Sequence, residues 1–276
     1  MSFRKDPIGM FDSGVGGLSI LDAVTKVLPG ETVHYFADNA HCPYGARTQA
    51  EVTAFCEGIT RFLLARQCKL IVVACNTATA MAIDSLRKNF GVPFVGIEPA
   101  VKPAVLKSRT GAIGVLATAG TFRGRLFKET LARFAQGTQV LTAEGTGLVE
   151  LVEAGRADSP ETEALLRGYL KPMLEAGIDQ LVLGCTHYPF LGAAIQRITG
   201  GTVTLISPGE AVAVRVRSLL ETHALLADTG TGGLRSYYSS GDTAALSAML
   251  GGIAEVKRTE WEKGKLLPTA NLPGLP

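Results

Sequence analysis

Short apolar runs alternate with amphipathic stretches along almost the whole chain. Ile8–Phe11, Val33–Ala37, Leu70–Ala74 and Phe94–Ile97 read as strands. Between them, Leu18–Val27, Thr48–Gln67 and Thr79–Phe90 carry apolar residues at helical spacing. Leu70–Ala74 (LIVVA) is apolar at every position, as expected of a strand covered on both faces. The alternation then restarts. Strands are expected at Ala112–Leu116, Gln139–Ala143, Leu181–Gly184 and Val203–Ile206. Helices are expected at Gly124–Phe134, Leu148–Ala154, Pro160–Ala176, Phe190–Thr199 and Ala211–His223. A strand Leu234–Ser239 and a helix Thr243–Leu250 precede residues 257–276, which are polar, contain three prolines and read as a loosely held tail. Such alternation predicts an α/β fold of parallel sheets with helices on both faces.

The chain also repeats itself. IGMFDSG (8–14) resembles IGVLATAG (113–120), and VVACNT (72–77) resembles LVLGCTH (181–187), in the same order and at nearly the same spacing. The expectation is two pseudo-symmetric, doubly wound halves, each with a polar loop after its first strand and a cysteine after a later one. Ligands of open α/β sheets bind beyond the carboxyl ends of the strands, where all four motifs lie. Facing halves would bring Cys75 and Cys185 to one ligand from opposite sides.

Composition narrows the classes. The 276 residues are 46% hydrophobic and 19% charged, which excludes disorder and allows a large core. The net charge of +2 offers no basic field for nucleic acid or anionic lipid. No segment approaches the ~18 consecutive apolar residues of a membrane span. Asp6, Pro7 and Asp12 interrupt any secretory signal after Arg4 and Lys5. The five cysteines are odd in number and dispersed, as in a cytoplasmic protein with reduced thiols.

Several chemistries could use the two thiols. No C-x-x-C redox pair is present. Zinc could draw on Cys75, Cys185 and His187, although C-x-H at a strand end is not an established zinc pattern. A Cys185–His187 hydrolase would leave Cys75 idle. A bilobal binding protein would need neither thiol. Two acid–base groups on opposite faces of one carbon use every residue, one removing a proton and the other delivering one. Asp12 could assist Cys75, and His187 could assist Cys185. Ser13, Asn76, Thr77, Thr118 and Thr186 offer short donors for an amino-acid carboxylate. Plainer readings stand beside these: Asp12 as a helix N-cap, His187 as a core histidine, and Glu150 and Glu153 as a solvated helix face. Ser19 breaks a G-x-G-x-x-G pattern, so the glycines of 14–17 serve close backbone approach rather than phosphate binding. Cys42, Cys56 and Cys68 read as passengers.

FDSGVGG (11–17), YFADNAHCPYG (35–45), VVACNTATA (72–80), GVLAT (114–118), LVELVEAG (148–155), LVLGCTHYP (181–189) and YYSSGD (237–242) together resemble the glutamate racemases, from about residue 7 to 255. The resemblance implies a two-base racemase that needs no cofactor and no metal and makes D-glutamate for peptidoglycan. Cys75 and Cys185 match the family's catalytic thiols, and Asp12, Glu153 and His187 its assisting groups. Asp12, Ser13, Tyr44, Gly45, Asn76, Thr77, Thr186 and His187 match its substrate contacts, with Thr118 a further one. It also implies a first domain of 1–98 plus 207–276, a second of 99–206, and a homodimer. Aspartate, hydantoin or maleate as substrate is the nearest alternative. The segment EGTG (144–147) departs from the Cys-Pro of many members, so Glu153 rather than Glu150 rests on spacing to Cys185.

Overall fold

In the computed structural model, which describes residues 3–228, 232–262 and 264–267, the apolar runs become strands of two parallel sheets. The first sheet takes β1 (Ile8–Asp12), β2 (Val33–Ala37), β3 (Leu70–Val73) and β4 (Phe94–Val95), linked by α1 (Leu18–Val27), α2 (Gln49–Leu64) and α3 (Asn76–Asn89). After α4 (Val101–Lys107), the second takes β5 (Ala112–Ala117), β6 (Gln139–Glu144), β7 (Gln180–Gly184) and β8 (Thr204–Ile206). Its connections hold α5 (Ala119–Arg123), α6 (Arg125–Phe134), α7 (Leu148–Glu153), α8 (Pro160–Glu175) and α9 (Gly192–Thr199). The chain returns through α10 (Gly209–Thr222) to β9 (Arg235–Ser239), α11 (Ala244–Met249) and β10 (Val256–Arg258). The hairpin β11 (Trp261–Glu262) and β12 (Lys265–Leu266) follows.

The strand orders are β10-β9-β2-β1-β3-β4 and β6-β5-β7-β8. Each sheet thus has its second, first, third and fourth strands side by side, so the repeat in the sequence is a repeat of topology. β9 pairs in parallel with β2, which places the late elements on the first sheet. In each sheet the order reverses beside the first strand, and a crevice opens there at the carboxyl ends of β1 and β3, or of β5 and β7. Every residue of β1 and of β7 is buried, because helices cover both faces. Among the described residues no helix is long and apolar enough to cross a membrane.

Local chemistry sets the helix starts. Thr48 and Glu51 form a reciprocal capping box on α2. Ser159 caps α8, with Pro160 at its first position. Helix α3 begins at Asn76, three residues before its apolar pattern, because the Cys75 sulfur accepts a hydrogen bond from the Ala78 N–H. Helix α4 was not expected, since its seven residues include Pro103 and show little periodicity. At the amino ends of the first sheet's strands, Lys69 and Glu31 form a buried ion pair at 2.6 Å.

The expected tail from 257 requires correction. Val256–Arg258 joins the sheet edge beside β9. The indole of Trp261 packs against Phe55 and His41, and its Nε1 donates to Asp38 Oδ1 at 2.9 Å. Polar sequence concealed this because backbone pairing and one aromatic anchor hold the segment. Residues 268–276 of the expected tail lie outside the described residues.

Candidate active site

The polar loops after β1, β2, β3, β5 and β7 converge between the two sheets. They enclose a cavity lined by Ser13, Tyr44, Gly45, Cys75, Asn76, Thr77, Thr118, Cys185, Thr186 and His187, with Pro43 and Val149 completing the wall. Its free space is ≈ 10 Å³, about that of one water molecule. Among the lining residues, His187 is the sole basic side chain, and no arginine or lysine reaches the cavity.

Cys75 and Cys185 occupy equivalent places after β3 and β7. Both thiols are nearly buried, at 5% and 6% exposure. Burial, then the neighbouring Asp12 and Cys185, push the Cys75 thiol well above its ordinary range, favouring its protonated form. The Cys75 thiol lies 3.9 Å from the Ser13 hydroxyl. Fully buried Asp12 accepts from the Gly17 N–H at 2.5 Å and from the Thr186 hydroxyl at 3.3 Å. The N-cap of α1 is Gly17 and no side chain caps that helix, so the plainer reading of Asp12 as the N-cap does not hold. Asp12 instead holds the Gly17 N–H of the β1–α1 loop while facing the Cys75 thiol. Burial raises its carboxyl above the usual range, against the opposing effect of His187.

On the other side, His187 Nδ1 lies 3.7 Å from Cys185 Sγ, and Nε2 lies 2.6 Å from Glu153 Oε1. Burial disfavours an imidazolium here, but Cys185, Cys42 and Glu153 together outweigh it and hold His187 well above its ordinary value. Burial likewise opposes the Glu153 carboxylate, but His187 and the Val15 N–H, which donates to Oε1 at 2.7 Å, keep it below the usual range. Asn39 Nδ2 donates to Oε2 at 3.0 Å. These contacts separate Glu153 from Glu150, which is exposed and lines a neighbouring surface pocket.

The glycines of the β1–α1 loop permit this approach. A Cβ on Gly14 would lie 2.7 Å from the Glu153 carboxyl carbon. One on Gly16 would lie 2.6 Å from Cε1 and 2.7 Å from Cγ of His187. The loop thus serves close contact between halves.

The remaining expected residues reach the same place. Thr77 and Thr118, from different sheets, share a hydrogen bond at 2.8 Å across the cavity wall. Asn76 is buried, yet neither its amide nitrogen nor its oxygen has a partner among the described residues. An unpaired buried amide is costly and invites a polar ligand. The Tyr44 hydroxyl is engaged by Asp38 at 2.5 Å, so this residue contributes its ring side to the lining.

Cys42 is not a passenger. Its sulfur lies 3.7 Å from Glu153 Oε1 and 4.0 Å from the Ser13 hydroxyl, and burial pushes the thiol up to about 11. Its place inside YFADNAHCPYG was the available signal. Cys42, Glu153 and His187 are also the cluster, among the described residues, whose donor atoms lie close enough to hold a metal ion, all within 4.8 Å of one another. The 2.6 Å hydrogen bond already pairs two of these three donors. Cys56 and Cys68 are buried in the core of the first half.

Such an array can hold a small zwitterion between two thiols, with an acid on one side and an imidazole–carboxylate pair on the other. Comparison with known proteins shows the family. The family profile described as Asp/Glu/Hydantoin racemase matches residues 18–216. The glutamate racemase of Herpetosiphon aurantiacus is 47% identical over 241 residues, covering 87% of this chain and 95% of that one. The crystal structure of a glutamate racemase isoform from Bacillus anthracis superposes with a TM-score of 0.84 at 30% identity, covering 95% of this chain and 99% of that one. The Escherichia coli glutamate racemase, crystallised with L-glutamate and the activator UDP-MurNAc-ala, gives 0.81 at 31% identity over 95% and 99% of the chains. The chain belongs to the Asp/Glu/Hydantoin racemase family, in its glutamate racemase branch.

Proposed function

We propose that this protein interconverts L- and D-glutamate by moving the Cα proton between Cys75 and Cys185. The observation that carries the reading is that two thiols from equivalent positions of two sheets line one small cavity. Each has its own proton-handling partner, Asp12 near Cys75 and His187–Glu153 near Cys185.

One sulfur, as thiolate, removes the proton from Cα. The other, as thiol, delivers a proton to the opposite face, so the centre inverts and one proton is exchanged for another. Asp12 and His187 reset the protonation of the thiols between turnovers. The developing charge at Cα spreads into the α-carboxylate, which the unpaired Asn76 amide and the Ser13, Thr77, Thr118 and Thr186 hydroxyls can hold by hydrogen bonds. A cavity of ≈ 10 Å³ is too small for glutamate, so the halves, taken as 1–98 with 207–276 and 99–206, open to admit it and close around it. Glutamate as substrate is supported by the relatives' names and by the L-glutamate bound in the E. coli structure. The family resemblance supports a cytoplasmic homodimer that supplies D-glutamate for peptidoglycan.

The test is circular dichroism of L-glutamate incubated with the protein. The expected result is decay of the signal to zero, with solvent deuterium at Cα of the product when the reaction runs in deuterated water. Cys75→Ala and Cys185→Ala should each abolish the decay. Normal interconversion by both variants would overturn the proposal.

A further inference from the structure

We infer that a surface pocket beside the cavity is a docking subsite for the incoming dicarboxylate amino acid, with Arg123 as the cation that receives it. This rests on the racemase reading above. The pocket has a volume of about 210 Å³ and shares Pro43, Gly45, Thr118 and Val149 with the inner cavity. Those four residues are therefore the wall between the two spaces. Pro43 and Gly45 follow β2 of the first sheet, whereas Thr118 and Val149 belong to the second half. Separation of the halves breaches this wall, and the outer pocket then leads directly to the thiols.

Arg123 fastens the wall from outside. Its guanidinium, at the end of α5, donates to the Gly45 carbonyl at 3.0 Å. That carbonyl is a neutral acceptor. A carboxylate brings a full opposite charge and can engage the planar guanidinium with two parallel bonds instead of one. An arriving carboxylate can therefore take Arg123 from Gly45 and loosen the wall as it binds. Arg123 is the sole arginine or lysine among the described residues that line the pocket. The cavity has no arginine or lysine, and Arg125 nearby is already paired with Asp84 at 2.9 Å and Glu129 at 2.7 Å. Glu144 and Glu150 line the same pocket. Their carboxylates suit the substrate's ammonium but repel its second carboxylate, so they moderate docking.

The test measures kcat and KM for L-glutamate at low and high ionic strength, using the full chain. For Arg123→Met, KM at low salt should rise about three- to tenfold with kcat within about twofold, and the ratio to wild type should shrink towards one as salt screens the charge. Arg123→Lys should recover most of the loss. Glu150→Gln should shift KM the opposite way, again only at low salt. A fastening role alone would make the Arg123→Met effect independent of salt and equal in Arg123→Lys, and either result overturns the docking subsite. An unchanged KM in Arg123→Met overturns it as well. If the wild-type protein does not turn over glutamate, the racemase reading fails instead. Lys and Gln are conservative at these exposed positions and keep the test decisive should Arg123→Met fold poorly.

Discussion

Substituting Gly14 by alanine should disable the site from outside the cavity, which Gly14 does not line. The new Cβ would stand 2.7 Å from the Glu153 carboxyl carbon and 3.1 Å from the Cys42 sulfur. Ordinary contact between such atoms is about 3.5–4.0 Å, so the carboxylate must withdraw by roughly 1 Å. Glu153 Oε1 then gives up its 2.7 Å bond from the Val15 N–H and its 2.6 Å bond to His187. Hydrogen bonds to charged groups contribute about 1.5–3 kcal/mol each, and a displacement of about 1 Å in a catalytic array costs on the order of 10²-fold. Gly14→Ala is therefore expected to lower kcat about 10²-fold with little change in KM, measured by the decay of the L-glutamate dichroism signal. Glu153→Gln should lose a comparable factor. In the double variant the losses should not multiply, because both changes act through one carboxylate. A Gly14→Ala protein within about threefold of wild-type kcat would refute the reasoning, and so would a double variant whose losses multiply.

The His187–Glu153 pair makes a second prediction, from the opposed shifts of its members. A raised imidazole contributes its full stability below its ordinary 6.5 and loses it as pH rises through the raised native value. A lowered carboxyl contributes above its ordinary 4.5 and loses that contribution as pH falls through the lowered native value. The pair thus stabilises the fold across the whole window between, and nitrogen NMR should find His187 doubly protonated at neutral pH. Titration near 6.5 in the wild type would contradict this, and Glu153→Gln should move it downward. Lys69→Met should strand the buried Glu31 carboxylate and cost about 3–5 kcal/mol in urea unfolding. Adding Glu31→Gln should restore much of that, and a single-variant loss below about 1 kcal/mol would show that the pair carries little.

Periodicity alone located most of the elements, because a buried strand and an amphipathic helix impose their periods directly on the chain. The internal repeat predicted two similar halves, since two copies of one topology need the same polar loops at the same places, and the fold then showed that they share a strand order. Motifs singled out Cys75, Cys185, Asp12 and His187, and the fold brings these four together. Other features were decided only by tertiary contact. Spacing to Cys185 favoured Glu153 over Glu150, but only the turn of α7 toward the Gly14 loop brings that carboxylate to His187. Cys42 joins the site through a loop of the opposite half, signalled only by its place inside YFADNAHCPYG, and Arg123 reaches Gly45 across the boundary between halves with no local signature. The hairpin at Trp261 is held by Asp38 and Phe55, more than 200 positions earlier in the chain. Apolar periodicity records which face of an element is buried, so it determined the layers. It carries no record of which partner lies beyond that face, and the pairing of charges and thiols across the cleft was therefore left to the fold.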